Sequence, residues 1–314
     1  MSSKAGGAAM QELRVMVSLI TENNDYQIEQ SSSAQSVAQQ LGVETKILFA
    51  DGDAVTQSTQ ILKAIHGDPE LRPHAVVVEP AGGTALPQVA RAAVDAGVLW
   101  VVLNRDAAYL TELRQKSKVA VFGVTSDQVE IGRIQARQCA AMLPCGGSIL
   151  YIQGPSEASV SKERFQGLQE VKPANIHLTI LKGQWTEESS ARAARSWLAL
   201  STSRKAKIDL VVSQNDLMAM GVRKTFQEGI GEVERDAWLN IPYLGIDGVP
   251  KTGQAWVRTG LLAATVVVPP SAGTAIQFLV DAIKTGKVPP ERVVMESTSY
   301  PPLDALRAKV AHLS

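Results

Sequence analysis

The chain has 314 residues, of which 45% are hydrophobic and 20% are charged, and these are ordinary values for a soluble globular protein. Its length exceeds that of one typical hydrophobic core, so we expect two domains. Basic and acidic residues number 31 each, which excludes a large basic surface for nucleic acid, and no apolar run approaches the roughly 20 residues of a transmembrane helix.

The N-terminal segment, 1–12, is small, polar and rich in Gly and Ala, which predicts a flexible tail without a binding role. Residues 1–10 contain one Lys and no Leu-rich stretch, so we do not expect them to form a signal peptide. The protein is therefore expected either to stay in the cytoplasm or to be a periplasmic protein whose export signal has been trimmed from this sequence.

Apolar periodicity over the following hundred residues predicts strands that alternate with helices. The predicted strands are 13–20, 44–49, 75–78 and 99–103, and the predicted helices between them are 26–41, 55–65 and 85–96. Gly42 and Gly97 follow two of these helices, as Gly commonly does at a helix end. This alternation requires a parallel sheet with right-handed crossovers.

A second alternating series follows a predicted helix at 131–143. Its predicted strands are 148–153, 176–181, 210–213, 243–246 and 263–268, and its predicted helices are 161–170, 187–200, 217–227 and 271–285. The fold class expected from the two series is α/β, with two similar doubly wound parallel-sheet domains.

The only two cysteines, Cys139 and Cys145, flank the end of helix 131–143. They form either a local disulfide in an oxidising compartment or two free thiols at a helix end. Neither their spacing nor the nearby residues predict a metal site.

Polar side chains follow three of the predicted strands. Asn104 and Arg105 come after strand 99–103, Asn215 and Asp216 after strand 210–213, and Asp247 after strand 243–246. Open α/β sheets bind ligands at the carboxyl ends of their strands, so we expect a cleft for a small polyhydroxylated ligand there. Asn215 or Asp216 would also cap the helix that follows.

Signals for common α/β enzymes are missing. The turn after the first strand, 21–26, has no glycine, and the segment 81–84 (AGGT) is too short for a P-loop and lacks its Lys. There is no Gly-x-Ser-x-Gly nucleophile elbow, and the four histidines lie near predicted element ends or the chain end. We therefore expect no catalytic residues, no cofactor and no metal.

Seven short segments occur in an order that matches a known family: 23–26 (NNDY), 103–105 (LNR), 126–127 (SD), 161–167 (SKERFQG), 214–221 (QNDLMAMG), 245–248 (GIDG) and 262–265 (LAAT). On these segments the chain resembles the type I periplasmic sugar-binding proteins of the ribose- and galactose-binding group, whose fold is shared by the effector domains of LacI-type repressors. The resemblance extends over nearly the whole chain from about Leu13.

The resemblance implies two lobes that a three-strand hinge joins, each of them discontinuous in sequence. The N-terminal lobe would comprise 13–124 plus 269–296, and the C-terminal lobe 125–268 plus 297–314. Binding would occur in a cleft between the lobes, which would close on the ligand by a hinge motion without making or breaking a bond. The protein would act as a monomer.

Carried over one position at a time, the resemblance also implies ligand-binding residues. Asn24 matches an amide that hydrogen bonds the ligand, and Tyr26 and Trp185 match two aromatic residues that stack on it. Arg105 and Arg164 match two guanidinium donors. Asn215 and Asp247 match an amide and a carboxylate that bind hydroxyls. Sugars suit such a set because their C–H faces stack on aromatic rings while their hydroxyl edges bond planar charged groups. Simpler roles stay open: a helix cap for Asn215 or Asp216, a surface position for Tyr26, a core position for Trp185 and a surface ion pair for Arg164.

Four positions depart from the family pattern. Asn104 stands where ribose-type proteins carry an Asp, Gln27 replaces a second aromatic, Ile246 replaces a Phe, and Val268 replaces a Gln. Gln27 and Asn104 remain candidate ligand-binding residues. The ligand expected is a sugar or a sugar-like molecule such as a cyclitol or a modified sugar.

Three function classes follow. The first is a solute-binding protein that delivers its ligand to an ABC permease. The second is a cytoplasmic ligand-sensing module, or a regulator's effector domain without its DNA-binding part, since the residues before Leu13 are too few for a helix-turn-helix. A periplasmic enzyme of the same fold is a third, smaller class.

Overall fold

A computed structural model describes residues 13–82, 86–200, 203, 206–229 and 232–311. The predicted tail, 1–12, lies outside the described residues, as does residue 85, the predicted start of one helix.

The chain divides into two compact units. The first runs to Ser126 and resumes over Pro270–Met295, whereas the second comprises Asp127–Pro269 and the residues from Glu296 onward. The chain thus passes from one unit to the other three times.

The helices and strands follow in chain order. Up to Ser126 they are β1 (Arg14–Leu19), α1 (Asp25–Leu41), β2 (Glu44–Phe49), α2 (Ala54–His66), β3 (Ala75–Val78), α3 (Pro87–Asp95), β4 (Leu99–Leu103), α4 (Tyr109–Lys116) and β5 (Val121–Ser126). Up to Pro269 they are α5 (Gln128–Met142), β6 (Gly147–Gln153), α6 (Ser159–Val171), β7 (Ile176–Lys182), α7 (Glu187–Leu198), β8 (Leu210–Ser213), α8 (Asp216–Gly229), α9 (Glu232–Asn240), β9 (Tyr243–Asp247), α10 (Gly253–Arg258) and β10 (Ala264–Val267). The last are α11 (Ser271–Thr285), β11 (Arg292–Met295), β12 (Thr298–Tyr300) and α12 (Leu303–Ala311).

The sheet of the first unit is parallel throughout, in the order β11-β5-β4-β3-β1-β2. Its central strands are buried on both faces because helices cover both. Successive residues of a strand point to opposite faces, so Val77 packs in one apolar cluster while Val76 and Trp100 pack in the other. The carboxyl ends of β1, β3 and β4 therefore lie side by side at one edge of a buried apolar core.

The second unit has the same plan, in the order β12-β10-β9-β8-β6-β7. All pairs described in it are parallel except β10 with β12, which is antiparallel. Tyr151 packs on one face of the sheet, and Leu150 and Ile152 pack on the other. The α/β fold class with two doubly wound sheets is confirmed.

Several short elements carry weak sequence patterns and were not predicted. Strand β11 has alternating exposed and half-buried residues, and β12 has three residues.

The structure leaves both thiols free, with Cys139 buried and Cys145 exposed, and burial raises the pKa of Cys139 to about 12. None of the helices described is long and apolar enough to span a membrane.

Candidate functional site

A buried carboxylate lies at the centre of a polar group in the first unit. We call this group the Glu79 cluster: Glu79, Gln27, Gln30, Asn104 and Arg105. Glu79 directly follows β3 and is only 3% exposed. Asn104 Nδ2 donates to its Oε1 at 3.1 Å, and Gln30 Nε2 donates to its Oε2 at 3.2 Å. The carboxylate is thus held by amide donors from the helix after β1 and from the end of β4.

Burial raises the pKa of Glu79, because an ionised carboxylate loses its hydration there. The hydrogen bond from Asn104, the positive charge of Arg105 and the hydrogen bonds from Gln27 and Gln30 act in the opposite direction, but burial outweighs them. Removal of any of these donors would favour the protonated carboxyl further.

The start of α1 orients the other residues of this cluster. Asn24 caps the helix, since its Oδ1 accepts from the backbone N–H groups of Tyr26 at 3.0 Å and Gln27 at 3.2 Å. Gln27 Oε1 accepts from the backbone N–H of Ile20 at 2.9 Å, which leaves its amide nitrogen to donate to Glu79. Tyr26 is buried, so the surface position considered for it is wrong.

Gln30 connects Glu79 to a distant part of the chain. Its Nε2 also donates to Ser271 Oγ at 3.0 Å, and its Oε1 accepts from the backbone N–H of Ala272 at 2.8 Å. Sequence reasoning missed both Glu79 and Gln30. The available signal for Glu79 was an acidic residue directly after a strand of four apolar residues, at the strand end where ligands bind.

A buried guanidinium occupies the equivalent edge of the second sheet. We call its surroundings the Arg164 cluster: Arg164, Gln128, Trp185, Gln214 and Asp247. Arg164 lies on α6 and is 3% exposed. Its Nε donates to Gln128 Oε1 at 2.9 Å, and its Nη1 donates to the backbone carbonyl of Gln214 at 2.6 Å. The surface ion pair considered for Arg164 is therefore wrong.

Two ligand candidates flank this guanidinium. Asp247 Oδ1 lies 3.8 Å from Arg164 Nη1, close enough for charge attraction but longer than a hydrogen bond. The Trp185 ring centroid lies 5.8 Å from Arg164 Cζ, within the range of a cation–π contact. The cluster thus combines a cation, an anion and an aromatic face.

Trp185 lies in the loop between β7 and α7, with a positive φ of 64°. Thr186 Oγ1 caps α7 by accepting from the backbone N–H of Ser189 at 3.2 Å. The indole packs against the backbone of Gly154, where an added Cβ would lie 2.3 Å from its Cη2. Trp185 is half-buried against the apolar core of its unit, so both the core role and the ligand role considered for it stay open.

Asn215 has a structural role in addition to any ligand role. Its Oδ1 caps α8 by accepting from the backbone N–H of Met218 at 2.8 Å, and its Nδ2 donates to the carbonyl of Trp185 at 3.0 Å. The cap predicted for Asn215 or Asp216 is therefore made by Asn215. The ligand-binding candidates predicted from the sequence are divided between the two units. Asn24, Tyr26, Gln27, Asn104 and Arg105 lie in the first, and Arg164, Trp185, Asn215 and Asp247 lie in the second.

Both clusters offer amides and charged oxygens and nitrogens, which are the groups that bind hydroxyls by hydrogen bonds. The Arg164 cluster adds the aromatic face of Trp185. Within the described part of the chain, no group of three or more His, Cys, Asp or Glu residues could hold a metal ion. This chemistry suits recognition of a polar organic molecule.

A family model described as a periplasmic binding protein domain matches residues 15–287. A putative rhizopine-binding protein from Rhizobium meliloti is 26% identical over 185 residues, which are 57% of this chain and 56% of that relative. The ribose import binding protein of Salmonella typhimurium is 24% identical over 267 residues, which are 85% of this chain and 82% of that relative.

Solved structures share the architecture. A galactofuranose binding protein has a TM-score of 0.78 and 22% identity, with 95% of this chain and 97% of that chain covered. The Caulobacter myo-inositol binding protein, bound to myo-inositol, has a TM-score of 0.75 and 23% identity, with 96% and 97% covered. At these identities the likeness concerns the fold.

Proposed function

Because this chain belongs to the family of periplasmic binding protein domains, we propose that it is a solute-binding protein for a sugar or a cyclitol and that it delivers this ligand to an ABC permease in the periplasm. The family consists of binding proteins, so capture and release are proposed rather than a reaction. A relative whose name specifies ribose supports a polyhydroxylated ligand, as do the structures of galactofuranose and myo-inositol binding proteins.

The observation that carries this proposal is the buried guanidinium of Arg164 beside an indole and a carboxylate. A guanidinium has five N–H donors, and Gln128 and Gln214 accept from two of them. We propose that other N–H groups of Arg164 donate to ligand hydroxyls and that the Asp247 carboxylate accepts hydrogen bonds from ligand hydroxyls. The Trp185 face would then contact the C–H surface of the ring.

The Glu79 cluster would also bind hydroxyls, with a buried carboxylate at its centre in place of a buried guanidinium. The resemblance expects a carboxylate at 104, where the chain has Asn, but a carboxylate is present at Glu79 on the neighbouring strand, hydrogen bonded to Asn104. We propose that Glu79, Asn104 and Arg105 together replace the usual carboxylate–guanidinium pair. Glu79 accordingly joins the ligand-binding candidates.

A thermal-shift panel tests this function. The panel contains pentoses, hexoses, furanose-rich sugars and cyclitols, with amino acids of similar size as the matched non-polyol controls. A ligand present at about 100 times its Kd adds about 2.7 kcal/mol of stability, which gives a clear rise in Tm. We expect at least one polyol to raise the Tm and the amino acids to leave it unchanged; equal responses, or no response to any polyol, would contradict the proposal.

A further inference from the structure

Asp216 is a fully buried carboxylate, 0% exposed, at the first residue of α8. Thr265 Oγ1 donates to its Oδ1 at 2.7 Å, and the backbone N–H of Gly248 donates to its Oδ2 at 2.8 Å. These donors lie 49 and 32 positions away in sequence, on β10 and on the turn after β9. Each carboxylate oxygen therefore binds a separate distant part of the second unit.

The turn that Asp216 binds carries Asp247. This residue has a φ of +105°, and Gly248 after it has a φ of +57°. A non-glycine residue with such a φ is sterically disfavoured and persists only where its surroundings hold it. The hydrogen bond from the Gly248 N–H to Asp216 holds the turn directly next to Asp247. It acts beside two bonds to carbonyl groups of the turn, from the Val268 N–H to Asp247 at 3.0 Å and from Gln254 Nε2 to Gly248 at 2.8 Å.

The space around Asp216 is matched to its carboxylate. A Cβ added at Gly245 would lie 1.9 Å from Oδ1, and one added at Gly253 would lie 2.0 Å from Oδ2. The backbones of β9 and the start of α10 thus approach the carboxylate as closely as only glycine permits. Asn215 already caps α8, so the carboxylate of Asp216 is not needed for that role.

We infer that Asp216 is a positioning residue for ligand binding, which holds the Asp247 carboxylate beside Arg164 through the Gly248 N–H and does not itself contact the ligand. The inference rests on the proposed function. It also pairs Asp216 with its neighbour: Asn215 holds the backbone of Trp185, where φ is +64°, and Asp216 holds the backbone next to Asp247. Two consecutive residues thus orient both side chains that flank Arg164.

The first test needs no ligand. In amide hydrogen exchange followed by NMR, the Gly248 N–H should be protected in the wild type and exposed in Asp216→Ala. It should stay protected in Thr265→Val, which removes the other bond to the same carboxylate. It should also stay protected in Asp216→Asn, because the amide oxygen can accept from Gly248 while the Thr265 hydroxyl turns to accept from the amide. An unprotected Gly248 in the wild type, or equal protection in Asp216→Ala, would overturn the inference.

The second test measures affinity for D-ribose and for myo-inositol by calorimetry. We expect Asp216→Ala to weaken binding by about tenfold or more, and Thr265→Val and Asp216→Asn by less than about threefold. In an Asp247→Asn background, Asp216→Ala should add less than about twofold, whereas in an Arg105→Ala background it should keep its full effect. A general structural role predicts the full effect in both backgrounds and would refute positioning through Asp247.

The outcomes distinguish a failure of the role inferred for Asp216 from a failure of the proposed function. If Asp216→Ala does not fold, Asp216→Ser enters the same cycle, since its hydroxyl is too short to restore the bond to Gly248. A wild type that binds neither these probes nor any polyol of the panel contradicts the proposed function and with it the ligand role of Asp216. The exchange result then still decides whether Asp216 holds the turn.

Discussion

The two polar clusters bury charges of opposite sign and stabilise them differently. Glu79 is surrounded by amide donors from Gln27, Gln30 and Asn104, whereas Arg164 donates to the amide oxygen of Gln128 and a backbone carbonyl. A carboxylate becomes neutral when it binds a proton, whereas a guanidinium stays charged at any ordinary pH. We therefore expect the carboxyl at the centre of the Glu79 cluster to make stability depend on pH.

Backbone strain differs between the clusters as well. In the Arg164 cluster both Trp185 and Asp247 have positive φ, whereas Asn104 alone does so in the Glu79 cluster. Strained positions depend on neighbours that hold them, here Asn215 and Asp216. We therefore expect the Arg164 cluster to be the more sensitive of the two to small substitutions nearby.

The largest expected effect is that of Arg164→Ala on binding. Removal of a buried charged donor leaves its acceptors unpaired, so affinity for the polyol identified in the panel should fall by about 2–5 kcal/mol. Calorimetry measures this loss. Arg192→Ala is the matched control, because Arg192 lies in the same unit with its side chain 68% exposed and should leave affinity unchanged. Equal affinities for the two variants would exclude Arg164 from binding.

The substitution Gly154→Ala tests the packing of the indole. The new Cβ would lie within 2.3 Å of the ring and must displace it, which should cost about 1–3 kcal/mol in stability and weaken binding. Gly123→Ala is the control, because its Cβ would meet a side chain at an ordinary 3.5 Å. Urea unfolding and calorimetry compare the two. A Gly154→Ala variant that binds like the wild type would show that the position of the indole does not matter for binding.

The pH dependence of stability tests the Glu79 cluster. Burial raises the folded pKa of Glu79, so its stabilising contribution is complete below the unfolded pKa and is lost as pH rises through the folded pKa. The free energy of unfolding of the wild type, minus that of Glu79→Gln, should therefore fall as the pH rises above the ordinary carboxyl pKa of about 4.5. Each unit by which the pKa is raised on folding corresponds to about 1.4 kcal/mol. Urea titrations at several pH values measure it, and a constant difference would contradict a buried titrating carboxyl.

The smallest expected effect is that of Trp185→Phe, which keeps an aromatic ring. Affinity should change by about 1 kcal/mol. The ligand-induced change in intrinsic fluorescence should nevertheless largely disappear. Trp100→Phe, at a fully buried position in the first unit, should preserve that change. A fluorescence response that survives Trp185→Phe would remove Trp185 from the site and favour its core role.

Local sequence patterns predicted several strands to the residue. The strands Glu44–Phe49, Ala75–Val78, Leu99–Leu103 and Leu210–Ser213 are apolar or alternating runs with turn signals beside them, so their bounds needed no long-range information. The predicted polar strand ends also included Asn104, Arg105, Asn215 and Asp247. Glu79 was missed because an acidic residue before Pro80 is also compatible with a solvent-exposed loop, and only its burial in the fold distinguishes the two.

The sequence by itself determined the α/β alternation and the segments that carry the family resemblance, since both depend on residues close together in the chain. Only the tertiary structure decided which polar groups meet. The carboxylate beside Asn104 comes from a residue 25 positions away, and Asp216 binds Gly248 and Thr265 across 32 and 49 positions. The physical reason is that parallel strands distant in sequence end at one edge of a sheet, where the partners of a buried charge are set by strand order.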